Sequence, residues 1–266
     1  MSGFRLLALD LDGTLLNSSL KVSDRNGEAV RRALAAGVNV VLATSRWYLL
    51  AKRTADRLGI TTPLICNNGA IVKTPDNGEE LLHLRLDQEV AREVAALADE
   101  NGWETFTTIE DDTFMRMRPG VVPERLPAGL RVSESQADEI SKRQPTTVLV
   151  FGNDAVVQIA DRFLDGYRER AKFSLNRPNN LPHYVILTHP DAEKSRALEL
   201  VCEELGVPLS ETIAMGDSES DLEMIQRAGL GIAMGNAPDE VQRAALHIAP
   251  TNDDDGVAWA IERFLT

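Results

Sequence analysis

Short apolar runs alternate with helical patterns in the first part of the chain. Residues 4–9 (FRLLAL) and 38–43 (VNVVLA) are runs typical of buried strands, and a third run opens at 63–66. Between them, Ser23 is a candidate N-cap before apolar residues at helical spacing, and residues 47–58 return to a helical pattern. This alternation predicts an α/β fold built on a doubly wound, Rossmann-like parallel sheet.

The same alternation returns after about residue 186, so this last part is expected to complete the sheet. The middle of the chain differs, because β-like runs at 104–109 and 113–118 follow each other without a helix between them. This pattern predicts an α+β module inserted into the host domain. The expected boundaries are 1–83 and 187–266 for the core and 84–186 for the inserted cap.

Charge and composition exclude several classes of function. The 266 residues carry a formal net charge of −13, which repels phosphate backbones, so neither nucleic acid nor an anionic membrane is an expected partner. The apolar start is too short for a signal peptide or a membrane span, and only Cys66 and Cys202 are present. We therefore expect a cytoplasmic protein, with a monomer as the default state.

Two carboxylates follow the first predicted strand. Asp10 and Asp12 are two residues apart on an extended chain, so both side chains face the same way. Ligands of open α/β sheets bind beyond the carboxyl ends of the strands, and paired carboxylates are hard ligands that suit Mg²⁺. Taken alone, the Asp-Gly step that follows is a strong signal of a solvated turn.

Other polar groups lie at comparable positions. Asp217 and Asp221 follow a later strand, and they reach the same cation only if the two strands are neighbours. Thr44 and Ser45 lie between a strand and a helix, where hydroxyls and free N–H groups bind anions. Lys194 begins a predicted helix, a position that the helix dipole disfavours for a cation. Each feature has an ordinary explanation as a cap or a solvated side chain, but their joint occurrence indicates one site.

Together these motifs resemble the haloacid dehalogenase superfamily of phosphatases, within it the Cof-type branch with a C2-type α/β cap. The resemblance is carried by Asp10-Leu11-Asp12-Gly13-Thr14-Leu15, Thr44, Lys194, Gly216-Asp217-Ser218 with Asp221, Asn68-Gly69-Ala70, and the stretches 233–237 (AMGNA) and 252–257 (NDDDGV). It covers the expected core, whereas the middle matches only by position and pattern.

The resemblance implies a Mg²⁺-dependent phosphatase that hydrolyses small organic phosphate monoesters, such as sugar phosphates, through an aspartyl-phosphate. In such an enzyme Asp10 is the nucleophile, Asp12 is the general acid and base, and Lys194 balances charge. The implied metal ligands are Asp10, Asp12, Asp217 and Asp221, and the implied phosphate contacts are Leu11, Thr44, Ser45, Lys194 and Ser220. In the cap, Arg116, Arg118, Asn176 and Arg177 are candidate substrate contacts.

Two other functions stay open at this point. Related proteins with this kind of cap pass phosphate to a sugar hydroxyl, so a phosphotransferase or mutase is the first alternative. The second is a non-catalytic sensor of phosphorylated metabolites, which is favoured only by Ser220, because the family usually has Asn there.

Overall fold

The computed structural model describes residues 3–117, 126–176 and 182–265. The chain divides into two compact units, one formed by Met1–Leu82 with Glu193–Thr266 and the other by His83–Ala192. In the described ranges, no helix combines the length and the apolar character needed to cross a membrane.

The first unit is built from both ends of the chain. Its N-terminal elements are β1 (Leu6–Leu9), α1 (Asp24–Ala35), β2 (Asn39–Leu42), α2 (Tyr48–Leu58), β3 (Leu64–Cys66), β4 (Ile71–Lys73) and β5 (Glu80–His83). The second unit contains α3 (Gln88–Asn101), β6 (Thr105–Ile109), β7 (Asp112–Arg116), β8 (Leu130–Val132), α4 (Gln136–Lys142), β9 (Thr147–Phe151), α5 (Asn153–Phe163), β10 (Lys172–Asn176) and β11 (Tyr184–Thr188). The chain then returns to the first unit with α6 (Lys194–Leu205), β12 (Thr212–Gly216), α7 (Leu222–Arg227), β13 (Leu230–Ala233), α8 (Asp239–Ala244), β14 (His247–Ile248) and α9 (Gly256–Phe264).

The main sheet of the first unit is parallel, with the strand order β14-β13-β12-β1-β2. This order confirms the predicted α/β fold and makes β1 and β12 neighbours, with Leu9 opposite Met215. Helices cover the sheet, and fully buried aliphatic side chains from β1, β2 and β12 fill the core. The predicted cap at Ser23 is present, because its Oγ accepts a hydrogen bond from the Asn26 N–H at 3.1 Å.

The second unit is α+β, as the consecutive strands predict. Its sheet has the order β10-β11-β9-β6-β7-β8, and every described pair of neighbours is antiparallel except β7 with β8. Apolar side chains of α3, α5 and the central strands form a separate core.

Some predicted boundaries differ from the observed elements. The expected core boundary at residue 187 falls within β11, which pairs with β9 and β10 in the second unit. The division into a catalytic core and a cap stays a prediction.

Candidate active site

The candidate site lies in the first unit, where neighbouring parallel strands end. Asp10 directly follows β1, and its backbone N–H donates to the Met215 carbonyl on β12 at 3.0 Å. Asp217 directly follows β12, and Thr44 follows β2 on the other side of β1. The parallel topology therefore brings together three of the polar positions that sequence analysis singled out.

Lys194 connects two of the carboxylates. Its Nζ lies 2.7 Å from Asp10 Oδ1 and 2.7 Å from Asp221 Oδ1, and its side chain is only 2% exposed. The other Asp221 oxygen, Oδ2, accepts hydrogen bonds from the backbone N–H groups of Asp217 and Ser218 at 3.1 and 3.0 Å. Both Asp221 oxygens are thus occupied by protein donors, and this carboxylate fixes the lysine and the turn after β12.

Lys194 is positioned by a close backbone contact. Gly69 has φ +91°, a conformation that favours glycine, and a Cβ at this position would lie 2.3 Å from the Glu193 carbonyl oxygen. Only a residue without a side chain lets the turn after β3 approach the start of α6 this closely. The Asn-Gly pair of the sequence motif therefore determines where the lysine enters the site.

Asp217 is held by groups from two loops. Thr14 Oγ1 donates to Asp217 Oδ1 at 3.1 Å, and Asn236 Nδ2 lies 3.5 Å from Asp217 Oδ2. Asn236 also donates to the Gly13 carbonyl at 2.9 Å. Gly13 has φ +81°, and a Cβ there would lie 2.2 Å from Asp217 Oδ2, so the loop after β1 needs glycine at this position.

Charge is unbalanced in this cluster. Burial raises the pKa of Asp10 well above its ordinary value, and the carboxylates of Asp221 and Asp217 act in the same direction. Burial and repulsion from Asp221 raise the pKa of Asp217 to about 7. Burial disfavours the ammonium of Lys194, but attraction to Asp10 and Asp221 outweighs this effect and raises the pKa of Lys194. The lysine is therefore charged, and its single charge cannot balance three ionised carboxylates.

The donor set of the cluster fits a hard divalent cation. One carboxylate oxygen from each of Asp10, Asp217 and Asp221 lies within 4.8 Å of the others, although both oxygens of Asp221 already accept hydrogen bonds from protein donors. Oxygen donors in a buried, anionic setting are the ligands that Mg²⁺ uses. A cation here would also relieve the repulsion that raises the pKa of Asp217.

The carboxylate of Asp12 is bound by the guanidinium of Arg46. Arg46 Nε donates to Asp12 Oδ2 at 2.7 Å, and its Nη2 donates to Oδ1 at 2.5 Å. This two-point contact fixes the orientation of the carboxylate. The motif after β1 predicts Asp12, whereas Arg46 was given no site role, although its place directly after Thr44 and Ser45 was the available signal.

The Thr44 hydroxyl can donate a hydrogen bond to a ligand. The side chain is fully buried, and Thr44 Oγ1 accepts a hydrogen bond from the Arg46 N–H at 3.1 Å. A hydroxyl has one donor hydrogen in addition to its lone pairs, and no acceptor for that hydrogen is found among the described residues. The Thr44 hydroxyl can therefore donate to an anion.

The remaining predicted phosphate contacts, Leu11, Ser45 and Ser220, differ in how far their side chains are exposed. The Leu11 side chain is fully buried in the core, so only its backbone can reach a ligand. Ser45 is exposed. Ser220 is exposed as well, and its hydroxyl lies 2.8 Å from Ser218 Oγ.

Asn236 and Asn252 were not assigned a site role from the sequence. Asn252 N–H donates to Asn236 Oδ1 at 2.9 Å, and Asn252 Nδ2 donates to the Leu16 carbonyl at 2.9 Å. These amides join the loop after β13 and the turn before α9 to the loop after β1. Both lie in stretches that carry the family resemblance, but a lone Asn offers no spacing signal of its own.

The candidate contacts in the second unit are only partly described. Arg116 Nη1 donates to the Asp99 carboxylate at 2.9 Å, an interaction within that unit. Asn176 Nδ2 donates to the Ser174 carbonyl at 3.1 Å. Arg118 and Arg177 lie outside the described residues.

Comparisons with known proteins agree with this fold. The haloacid dehalogenase-like hydrolase family model matches residues 7–261. Phosphatase YwpJ of Bacillus subtilis is 31% identical to this chain in an alignment over 294 residues, and the alignment covers 98% of this chain and 100% of that protein. The B. subtilis 5-amino-6-(5-phospho-D-ribitylamino)uracil phosphatase YcsE is 31% identical over 264 residues, covering 98% and 96% of the two chains.

A solved structure of a haloacid dehalogenase-like hydrolase has a similar fold. A haloacid dehalogenase-like hydrolase from Bacteroides thetaiotaomicron superposes with a TM-score of 0.81 at 29% identity, covering 98% of this chain and 99% of that chain. The chain thus has an α/β fold with carboxylates and a lysine at the carboxyl ends of parallel strands, and the proteins that it matches are hydrolases. The chain belongs to the haloacid dehalogenase-like hydrolase family, and the predicted family resemblance is confirmed.

Proposed function

We propose that the protein is a Mg²⁺-dependent phosphatase that hydrolyses small organic phosphate monoesters through an aspartyl-phosphate on Asp10. The observation that carries the proposal is the buried Asp10–Lys194–Asp221 contact beside Asp217, at the ends of adjacent parallel strands. The relatives support the reaction class, because the curated proteins cited above are named phosphatases.

Asp10 is the proposed nucleophile. One carboxylate oxygen forms a bond to phosphorus while the bond to the leaving alkoxide breaks, which gives an aspartyl-phosphate. The charged Lys194 offsets negative charge on Asp10 and on the phosphoryl oxygens. The Thr44 hydroxyl and the backbone N–H groups of Leu11 and Ser45 are proposed to donate to those oxygens.

Asp12 is the proposed acid and base. It gives a proton to the leaving alkoxide and then takes a proton from the water that attacks phosphorus, so that phosphate is released and Asp10 is regenerated. The contact with Arg46 orients the Asp12 carboxylate between these transfers.

Asp10, Asp217 and the backbone carbonyl of Asp12 are proposed to hold the Mg²⁺. The bound cation neutralises charge, so that an anionic nucleophile and an anionic phosphate can approach each other. We assign Asp221 an indirect part, because both of its oxygens are occupied by Lys194 and backbone N–H groups.

Phosphate release from p-nitrophenyl phosphate tests the proposal. We expect activity with Mg²⁺, none with EDTA, and a loss of about 10³-fold or more in Asp10→Asn, because the amide is not a nucleophile. Asp56→Asn is the matched control, because Asp56 is an exposed acid on α2 paired with Lys52. Wild-type turnover in Asp10→Asn would contradict the mechanism, and ligand-induced stabilisation without phosphate release would favour a sensor.

A panel of phosphate esters identifies the substrate class. Sugar phosphates and the phosphorylated ribitylaminouracil named for the relative YcsE are the first compounds to compare. Release of phosphate into water supports a phosphatase. Appearance of labelled phosphate on an added sugar would instead assign a phosphotransferase.

A further inference from the structure

A polar pocket of about 110 Å³ lies in the first unit, between the loop after β1 and the helices α1 and α2. Its charged and hydroxyl lining consists of Ser23, Asp24, Arg31, Arg46, Thr54 and Arg57. Three arginines and one aspartate therefore line the pocket, in a chain whose formal net charge is −13.

Two of these arginines lack an ion-pair partner among the described residues. The neighbouring arginines on α1, Arg25 and Arg32, both bind Glu262, at 2.9 and 3.1 Å. Arg31 and Arg57 have no such partner in the described ranges, and Asp24 forms no ion pair with them. The charges of Arg31 and Arg57 at this pocket are therefore not balanced by an ion pair with a described residue.

The Arg31 guanidinium lies beside α1 at Gly27. Its Nη1 and Nη2 lie 3.5 and 3.6 Å from the position that a Cβ on Gly27 would occupy, which is ordinary van der Waals contact. Both residues line the pocket, so the guanidinium runs along the α1 side of its wall.

Arg46 links the pocket to Asp12. Asp12 uses the Nε and Nη2 donors of Arg46, and a guanidinium has five N–H donors in all. No hydrogen bond involves Nη1 among the described residues, although Arg46 lines the pocket and its side chain is only 16% exposed. Arg46 can therefore donate from Nη1 to an anion in the pocket while its Nε and Nη2 hold Asp12.

We propose that this arginine pocket is a second anion site, which binds a phosphate group through Arg31, Arg46 and Arg57. The volume admits a small head group, and arginine forks match the geometry of phosphate oxygens. Thr54 adds a hydroxyl donor. The bound group is inorganic phosphate or the phosphate of a small metabolite, and it uses the Arg46 Nη1 donor that the contact with Asp12 leaves unused. This site is separate from the proposed catalytic phosphate contacts, so its existence does not depend on the proposed reaction.

Side-chain NMR of the arginine Nε–Hε groups tests this site directly. The metal-free protein in EDTA is titrated with sodium phosphate, with glucose 6-phosphate, and with sodium chloride as a charge control. We expect the signals of Arg31, Arg46 and Arg57 to shift with one saturable curve for a phosphate-containing probe, and chloride to produce no saturation. Arg53 lies on α2 outside the pocket lining, and its signal is expected not to follow that curve.

Two variants separate pocket binding from catalytic-site binding. The double variant Arg31→Ala/Arg57→Ala should weaken the response of Arg46 by about tenfold or more, because charged hydrogen bonds are lost. Arg53→Ala removes the same charge from the same helix and should leave the response unchanged. Tighter binding of glucose 6-phosphate than of phosphate would identify a metabolite site, and the reverse would identify a phosphate site. Non-saturating shifts, or an Arg46 response that survives in the double variant, would overturn the proposal.

Discussion

Asp217 is the residue whose chemistry depends most clearly on its surroundings. Burial and the nearby carboxylate of Asp221 raise the pKa of Asp217 to about 7, whereas the Thr14 hydroxyl and Lys194 oppose the shift. Between its ordinary pKa and about 7, the folded protein holds more protons on this group than the unfolded chain does. Without a cation, the contribution of Asp217 to stability therefore falls as the pH rises through this window.

This shift predicts a pH-dependent affinity for Mg²⁺. A proton and the cation compete for the Asp217 carboxylate, so affinity should rise by about tenfold between pH 6 and pH 8 if this group controls binding. Calorimetric titration of the metal-free protein with Mg²⁺ measures the change. Asp217→Asn should bind weakly at both pH values, while Asp56→Asn should behave like the wild type. An equal affinity at both pH values in the wild type would show that Asp217 does not control binding.

The loop after β1 approaches the loop after β12 closely at Gly13. Gly13 makes this approach possible, since a Cβ at this position would lie 2.2 Å from Asp217 Oδ2. Gly37 has nearly the same backbone conformation, with φ +84° against φ +81° for Gly13, but nothing lies within 4 Å of its Cβ position. A comparison of substitutions at Gly13 and Gly37 therefore distinguishes the effect of backbone strain from the effect of a Cβ that contacts Asp217.

Alanine substitutions at these positions should have different effects. Gly37→Ala and Gly13→Ala should each lose about 1–2 kcal/mol of stability, because both place a side chain in the left-handed region. Only Gly13→Ala should also lose about tenfold or more in phosphatase activity, because its Cβ displaces Asp217. Thermal unfolding and Mg²⁺-dependent phosphate release measure the two effects. Equal activity in both variants would show that the contact with Asp217 is unimportant.

The sequence predicts elements well where the signal is local. The runs in β1 and β2, the Ser23 cap and the position of Lys194 at the start of α6 follow from spacing and residue type. The short elements α8 and β14 were missed, because six or fewer residues show little periodicity. The contact of Arg46 with Asp12 and the bridge from Asn236 to Gly13 join distant parts of the chain, which no local pattern reports.

At the scale of the whole molecule, an acidic protein binds an anionic substrate only where cations are concentrated. The net charge of −13 opposes phosphate binding at most of the surface. Lys194 and Arg46 provide local positive charge in the first unit, and a Mg²⁺ held by Asp10 and Asp217 would add more. Substrate selectivity is therefore expected to depend on these few groups and on the α+β unit, whose sequence carries the weakest resemblance.

Chemical trapping of the phosphorylated enzyme tests the central claim most directly. The protein is mixed briefly with an excess of phosphate ester and Mg²⁺, quenched in acid, reduced with borohydride and digested for mass spectrometry. Because an acyl phosphate is reduced to an alcohol, we predict that position 10 alone changes from aspartate to homoserine. Trapping at another carboxylate, or steady phosphate release with an unchanged Asp10, would contradict the assignment of Asp10 as the nucleophile.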